Sequence, residues 1–169
     1  DLCRYLAEDP SITVDEAVFQ SEVATGHRNR ALAYFMQAEG NLEGEVPEVV
    51  KIYFRQCSIA MSCRQLAMAG RFLAAGGQGA AADHAAVTPE RARRINALMM
   101  TCGCYDASGE VAFRIGLPCK SGVGGGILAI APGIAAIAAW CPGLDDKGNS
   151  RLALAAIEEL SREMGWSVF

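Results

Sequence analysis

A long run without any charged side chain, from Ser121 to Leu144, is the feature that most limits how this chain can fold. A membrane-spanning helix needs about 20 apolar residues without breakers. Here the triplet Gly124-Gly125-Gly126 and the pair Pro132-Gly133 interrupt the run. Short apolar stretches on either side of a turn dipeptide are typical of a hairpin of buried strands. The run therefore predicts strands over Ile127 to Ala131 and Ile134 to Trp140, and it argues against a membrane span.

The predicted hairpin is apolar on both faces, and a two-stranded sheet of this kind is not stable alone. A polar turn, Asp145 to Asn149, follows it, and the apolar spacing from Leu152 to Met164 predicts a helix that covers the sheet. No stretch upstream offers a convincing further strand. We therefore expect polypeptide outside this chain to complete the sheet, and a start at Asp1, without methionine or a signal peptide, fits that expectation.

The residues before the hairpin carry mostly helical signals, including proline or a capping residue at several helix starts. Helices are predicted from the Thr13-Val14-Asp15-Glu16 capping box to Gly26; from Arg28 to Gln37; from Pro47 to Cys57; from the Ser62-Cys63-Arg64-Gln65 capping box to Ala75; from Thr88-Pro89-Glu90 to Thr101; and from Tyr105 to before Gly116. A loop is predicted over 76–86. The fold class is therefore α+β, with residues 1–117 mainly helical and residues 118–169 forming sheet strands and a final helix.

Charge and cysteine usage exclude several classes of partner. The formal net charge of -4, without a lysine or arginine run, argues against binding to nucleic acid or to an anionic membrane. The seven cysteines follow no regular framework, and several lie in apolar stretches, so we expect reduced thiols and a cytoplasmic location. Cys102 and Cys104 are spaced more tightly than a usual zinc site and neither histidine is nearby in sequence, so no metal or cofactor is expected.

The tripeptide Lys120-Ser121-Gly122, followed by Val123 and three glycines, is the first motif with chemical meaning. In acyl transferases that use a serine nucleophile, such a tripeptide on a sheet edge lines the pocket, and a backbone amide nearby binds the developing oxyanion. A flexible turn is the alternative reading of so short a motif. A dinucleotide fingerprint is excluded, because the glycines precede a strand and not a helix.

Four more side chains are candidates for a pocket. Glu22 and Asn29 flank a predicted helix junction, where a carboxylate and an amide can hold an amino-acid head group. The alternative is a solvated glutamate and a capping asparagine. Tyr53 and Tyr105 are candidate phenols for proton transfer, although each could be a core aromatic with its hydroxyl at the surface.

Together these segments resemble the bacterial and mitochondrial-type glutaminases. The resemblance spans nearly the whole chain in one order. It is carried by Gln20-Ser21-Glu22, Gly26-His27-Arg28-Asn29, Tyr53-Phe54-Arg55-Gln56-Cys57-Ser58, Val87-Thr88-Pro89, Ile95-Asn96-Ala97-Leu98-Met99, Gly103-Cys104-Tyr105-Asp106 and the run from Leu117 to Gly126. The resemblance implies a β-lactamase/DD-peptidase-like fold that hydrolyses L-glutamine to L-glutamate and ammonia, without a cofactor, usually as a homodimer or homotetramer.

The resemblance also implies roles for individual residues. Glu22 and Asn29 would hold the glutamine head group, Tyr53 would line the pocket beside the nucleophile, and Tyr105 would shuttle protons. Val123 would offer its backbone amide to the oxyanion. The supporting residues Lys120, Ser121 and Gly122 would shape the strand edge beside it.

The family nucleophile, a serine in Ser-x-x-Lys, is not found in this sequence. The residues three places before Lys51, Lys120 and Lys147 are Glu48, Leu117 and Leu144, listed here in the same order. In the family this motif lies upstream, so we expect residues 1–169 to be the carboxy-terminal part of a single catalytic domain and to be inactive alone. Two alternatives stay open: another serine acyl transferase of the same fold, reactive toward β-lactams, and a non-catalytic interaction module.

Overall fold

The computed structural model describes residues 1–79 and 86–169, which divide into two compact units. The larger unit comprises Asp1–Pro10 and Ser62–Phe169, and the smaller unit comprises Ser11–Met61. In chain order the elements are α1 (Leu2–Ala7), β1 (Thr13–Val14), α2 (Glu16–Thr25), α3 (His27–Ala38), α4 (Val46–Cys57), β2 (Ile59–Ala60), α5 (Cys63–Ala74), α6 (Pro89–Cys102), a 3-10 turn (Tyr105–Ala107), α7 (Ser108–Ile115), β3 (Cys119–Ser121), β4 (Gly126–Ala131), β5 (Ala135–Trp140) and α8 (Arg151–Met164).

The smaller unit packs three helices around one apolar cluster. Its buried members, contributed by α2, α3 and α4, are Phe19, Ala33, Val46, Val50 and Phe54. The strands β1 and β2 pair antiparallel at the ends of the unit. Burial of these side chains removes apolar surface from water, which is the main contribution to holding three short helices together.

The predicted capping box at Thr13 is wrong. The side chain of Asp15 caps α2 by accepting a hydrogen bond from the Val18 N–H at 3.0 Å. Thr13 instead lies in β1, opposite Ala60. Aspartate is as good a helix cap as threonine, and a threonine with extended backbone is free to pair as a strand.

The larger unit is built on an antiparallel sheet with the order β3-β4-β5. The central strand β4 is buried on both faces, with alternate residues facing opposite sides. Ile127, Ala129 and Ala131 pack into a cluster with α7 and α8. Leu128 and Ile130 pack into a second cluster with α5 and α6. This two-sided burial explains why the sequence of β4 is apolar throughout.

The predicted hairpin is confirmed, with Ala131 opposite Ala135 and Gly133 at a φ of 75° in the turn. The expectation that no further strand precedes it is wrong. Cys119, Lys120 and Ser121 form β3, which pairs with β4 and makes the sheet three-stranded. A three-residue strand is too short to show an alternating pattern, so β3 could not be recognised from periodicity.

Most of the predicted helices are present. The Ser62 capping box is confirmed, because its hydroxyl accepts from the Gln65 N–H at 3.2 Å and the Gln65 side chain accepts from the Ser62 N–H at 2.7 Å. Thr88 caps α6 as expected. The short helix α1 was not predicted. In the predicted loop over 76–86, residues 80–85 lie outside the described residues. Over 1–79 and 86–169, the structure contains no helix with the length and apolar character needed to cross a membrane.

Candidate functional site

Tyr105 is at the centre of a group of neighbouring residues in the larger unit, here called the Tyr105 cluster: Tyr105, Lys120, Ser121, Val123 and Gly148. The Tyr105 hydroxyl donates to the Ser121 carbonyl at 3.4 Å. The Lys120 Nζ lies 5.2 Å from the centroid of the Tyr105 ring and also donates to the Ser121 carbonyl. One backbone carbonyl of β3 therefore accepts from both side chains and links them.

The backbone of Tyr105 is unusual. Its φ is 51°, in the left-handed region that bulky residues rarely adopt. Tyr105 follows Cys104, which is buried, and is the first residue of the short 3-10 turn that precedes α7. Tyr105 is 40% exposed, so its side chain is partly covered by the protein and partly open to solvent. Conformations of this kind persist where the surrounding contacts hold them, and they are frequent at functional sites.

Val123 lies in the tight turn that joins β3 to β4. The turn is closed by hydrogen bonds from the Gly122 N–H to the Gly126 carbonyl and from the Gly125 N–H to the Gly122 carbonyl, both at 2.9 Å. The Val123 side chain is 64% exposed. Within residues 1–79 and 86–169, no group accepts a hydrogen bond from the Val123 N–H. The turn thus presents a free backbone donor at the edge of the sheet.

A second turn, Asp145 to Asn149, borders the same cluster. A Cβ atom added at Gly148 would lie 3.6 Å from the Tyr105 ring and 3.8 Å from the Val123 side chain. The Asp145 carboxylate accepts from the N–H groups of Lys147 and Asn149 at 2.9 and 2.8 Å. Partial burial alone would raise the pKa of Asp145, but these backbone donors outweigh it and lower the pKa below its ordinary value.

Asn149 is the last residue of this turn, and its side chain points into the protein interior. It is fully buried, and its side-chain amide donates to the Cys104 carbonyl at 3.3 Å. The sequence predicts only a polar turn for this segment, and Asp145, Gly148 and Asn149 are not among the predicted site residues. The Asp-x-x-Gly-Asn pattern of this segment predicts a turn. It does not predict that the turn packs beside Cys104 and Tyr105, which lie far away in the sequence.

The buried thiols of Cys104 and Cys119, close to the Tyr105 cluster, are expected to be unreactive. Burial raises the pKa of Cys104 to about 11 and that of Cys119 to about 12. Both remain protonated at neutral pH and behave as small apolar side chains. All seven cysteines are free. Among the described residues there is no group of three or more histidine, cysteine, aspartate or glutamate side chains able to hold a metal ion.

The other predicted site residues lie in the smaller unit. Glu22 lies near the end of α2, Asn29 lies in the first turn of α3, and both are partly buried. Gly26 joins the two helices, and a Cβ atom added there would overlap the tip of the Phe54 ring. Tyr53 is the neighbour of Phe54 on α4, with the two ring centroids 6.0 Å apart. A glycine at the junction therefore permits the helices bearing Glu22 and Asn29 to approach α4.

The structure thus groups the predicted residues in two sets. Tyr105, Lys120, Ser121, Gly122 and Val123 are gathered around the β3–β4 turn in the larger unit. Glu22, Asn29 and Tyr53 belong to the smaller unit, on elements that pack together there. The chemistry of the first set suits stabilisation of negative charge and proton transfer. That of the second set suits recognition of a small polar ligand.

Comparison with known proteins gives a consistent result. A family model described as glutaminase matches residues 1–169. The glutaminase of Methylobacterium nodulans is 60% identical over 166 residues, which cover 98% of this chain and 54% of that protein. The thermolabile glutaminase of Rhizobium etli has the same identity and coverage. The chain therefore spans about half the length of the curated relatives it matches.

Solved structures agree with this family match. The Bacillus subtilis glutaminase YbgJ, solved as a covalent complex with 5-oxo-L-norleucine formed by reaction with 6-diazo-5-oxo-L-norleucine, matches with a TM-score of 0.90 and 34% identity. The match covers 99% of this chain and 60% of that one. The glutaminase structures that match have the β-lactamase-like fold, so the predicted fold class is confirmed.

Proposed function

Because this chain belongs to the glutaminase family, we propose that it serves in the hydrolysis of L-glutamine to L-glutamate and ammonia. The reaction passes through an ester between the glutamine side-chain acyl group and a serine. Serine attack on the amide carbon forms the ester and releases ammonia, and water then hydrolyses the ester to glutamate. The observation that carries this proposal is the Tyr105 cluster. In it, the free Val123 N–H and the Tyr105 phenol lie beside the strand that contains the Lys-Ser-Gly motif.

In this proposal the Val123 N–H stabilises the oxyanion that forms when the amide carbonyl is attacked. Fixed backbone donors are effective because they need no reorganisation as charge develops. The tight turn from Gly122 to Gly125 supports the role, since its two hydrogen bonds hold the Val123 peptide while leaving its N–H unused.

Tyr105 is assigned the proton shuttle between the nucleophile and the departing ammonia. The Lys120 ammonium over its ring and the Ser121 carbonyl at its hydroxyl support this role, because both restrain the position of the phenol. Protons must move at both the acylation and the deacylation step, and a phenol is both donor and acceptor.

Glu22, Asn29 and Tyr53 are assigned to the substrate. The Glu22 carboxylate would pair with the α-amino group of glutamine, and the Asn29 amide would bond to its α-carboxylate. Tyr53 would line the pocket beside the nucleophile. Their partial exposure around a glycine junction in the smaller unit supports a binding role, because a fully solvated position would give little affinity.

The nucleophile in this proposal comes from a part of the enzyme that this chain does not contain. No serine precedes any of the three lysines by three residues, and the relatives are about twice as long as the match. Residues 1–169 then form the carboxy-terminal part of one catalytic domain. The reaction of the Bacillus subtilis relative with a diazoketone analogue of glutamine supports a nucleophile aimed at the amide carbon in the whole enzyme.

We also propose a cytoplasmic location and a homo-oligomer, either a dimer or a tetramer. Seven free cysteines support a reducing compartment. Exposed apolar side chains on one helix, α3, support association between copies: Leu32, Phe35 and Met36 are 52%, 64% and 44% exposed. Sedimentation at several protein concentrations tests the oligomer.

The proposed activity can be tested with a joined protein. In it, the part of the Methylobacterium nodulans glutaminase that precedes the matched segment is fused ahead of Asp1. Ammonia release from L-glutamine is measured for the joined protein and for the 169-residue chain alone. We expect hydrolysis by the joined protein, a covalent mass increase after treatment with 6-diazo-5-oxo-L-norleucine, and no hydrolysis by the chain alone, because the nucleophile and its base are missing.

Other results would favour the alternatives. A folded joined protein that opens nitrocefin and spares glutamine would identify a β-lactam-reactive enzyme, an assignment that the Lys120-Ser121-Gly122 motif permits. A stable chain without activity in either form and without affinity for glutamine or glutamate would identify an interaction module. Hydrolysis of glutamine by the chain alone would contradict the assignment of the nucleophile.

A further inference from the structure

Asn149 is a buried polar residue that neither the family resemblance nor the proposed roles explain. Its accessible surface is 0%, and its side-chain Oδ1 accepts no hydrogen bond among the described residues. Burying an amide is unfavourable unless its hydrogen bonds compensate. The side-chain Nδ2, in contrast to Oδ1, has a hydrogen-bond partner in the protein.

The Nδ2 donates to the Cys104 carbonyl at 3.3 Å. That carbonyl belongs to the peptide group that links Cys104 to Tyr105. Fixing the plane of this peptide restricts the φ of Tyr105, which is 51° and in the uncommon left-handed region. The Ala107 N–H bonds to the same carbonyl at 3.1 Å. Among the described residues, Asn149 is thus one of two donors to the carbonyl of the peptide preceding Tyr105.

The turn that carries Asn149 is itself rigid. The Asn149 N–H donates to the Asp145 carboxylate and the Asp145 N–H donates to the Asn149 carbonyl, each at 2.8 Å. Gly148, the preceding residue, lies near one edge of the Tyr105 ring, where an added Cβ atom would be 3.6 Å from Cε2 and 3.8 Å from Cδ2. The same turn therefore bonds to the backbone beside Tyr105 and borders its ring.

From these contacts we propose that Asn149 is a positioning residue, which keeps the Tyr105 phenol over the β3–β4 turn by holding the Cys104–Tyr105 peptide. The inference rests on the proposed function for its effect on catalysis. Its structural part, control of the Tyr105 backbone by Asn149, does not depend on which reaction the site performs.

The test compares Asn149→Ala and Asn149→Asp with Asn96→Ala in the joined protein. Asn96 is a matched control, because its Nδ2 also donates to a backbone carbonyl, that of Leu73 at 3.1 Å, and its Oδ1 is likewise buried and unpaired among the described residues. Asn149→Asp keeps the shape of the side chain but removes the donor when ionised.

We expect both Asn149 variants to lower kcat for glutamine by about 10-fold to 100-fold, the scale of a misplacement near 1 Å, with KM changed less than about threefold. Asn96→Ala should lower the melting temperature similarly and leave kcat unchanged. Equal kcat values for the Asn149 and Asn96 variants would overturn the inference. If Asn149→Ala does not fold, the shape-matched Asn149→Asp decides the result.

A crystal structure of the Asn149→Ala protein provides a readout that does not depend on activity. We expect the Cys104–Tyr105 peptide to rotate and the Tyr105 φ to become negative. A Tyr105 that keeps its φ and its ring position would refute the inference even if activity were lost. If the unsubstituted joined protein does not hydrolyse glutamine, the proposed function fails, and this structural comparison still tests the role of Asn149.

Discussion

The Lys120 Nζ lies 5.2 Å from the centroid of the Tyr105 ring, so a positive charge faces the phenol proposed to carry protons. This arrangement gains from the attraction between a cation and the negative face of an aromatic ring. Lys120 also donates to the Ser121 carbonyl that accepts from the Tyr105 hydroxyl. Removing the ammonium should therefore release the ring and leave that carbonyl with one donor fewer.

We predict that Lys120→Met in the joined protein lowers kcat for glutamine by about 10-fold or more, the scale expected when a group that orders a proton-transfer residue is lost. Methionine keeps the length and the apolar stem of lysine, so packing changes little. Steady-state kinetics check the result, with Lys147→Met as the control, because Lys147 makes only an exposed ion pair with Glu110 among the described contacts of its side chain. A Lys120→Met enzyme with normal kcat would remove Lys120 from the mechanism.

The free N–H of Val123 gives a second prediction. Val123→Pro removes this donor, and proline suits the second position of a β-turn such as the one from Gly122 to Gly125. We expect kcat to fall by about 100-fold to 1,000-fold, the cost of one oxyanion donor. Val123→Ala, which keeps the N–H, should retain activity within about threefold of the unsubstituted protein. The oxyanion role is wrong if both variants behave alike.

The α2–α3 junction in the smaller unit gives a third prediction. Gly26→Ala places a methyl group against the Phe54 ring, so we expect a loss of about 1 to 3 kcal/mol in the free energy of unfolding. We also expect a higher KM for glutamine, since Glu22 and Asn29 flank the junction. Gly109→Ala is the control, because a Cβ atom there meets nothing within 4 Å. Urea denaturation and kinetics of both variants provide the measurements, and an unchanged Gly26→Ala protein would contradict the packing argument.

Some features of the fold can be predicted from the sequence alone. The charge-free run with its turn dipeptide predicted the hairpin, because a strand buried on both faces requires apolar residues at every position. The Ser62-x-x-Gln65 box predicted the start of α5, because capping depends only on residues close together in the chain. Local patterns of this kind determine local structure.

The roles of β3 and Asn149 could not be predicted in the same way. Cys119 to Ser121 form a strand only because β4 offers a partner, and three residues carry no periodic signal of their own. The hydrogen bond from Asn149 to Cys104 joins residues far apart in the sequence. The left-handed backbone of Tyr105 has no sequence signature, since tyrosine does not favour it. Contacts made through tertiary structure determine these features.

The buried thiols give a fourth prediction, on reactivity. Cys57, Cys63 and Cys102 are exposed, whereas Cys104 and Cys119 are each 1% exposed. We expect a disulfide reagent such as Ellman's reagent to label the three exposed thiols in the native chain and to reach Cys104 and Cys119 only after denaturation. Mass spectrometry of digested, labelled protein identifies the sites. Rapid native labelling of Cys119 would show that the sheet opens or that β3 is not paired as described.

The same thiols give a final prediction, on alkaline stability. Burial raises the pKa of Cys104 from 9.0 to about 11 and that of Cys119 from 9.0 to about 12. Above pH 9 the unfolded chain loses these protons while the folded chain keeps them, so the unfolded state binds fewer protons and gains stability as the pH rises. The contribution of the two thiols to stability is therefore fully present below pH 9 and is lost progressively as the pH rises through their pKa values in the folded state.

Urea denaturation between pH 8 and about 11 should show a fall in the free energy of unfolding. The comparison is with Cys104→Ala/Cys119→Ala, whose free energy of unfolding should fall less steeply with pH. Parallel curves for the two proteins would mean that neither thiol is buried in the native state.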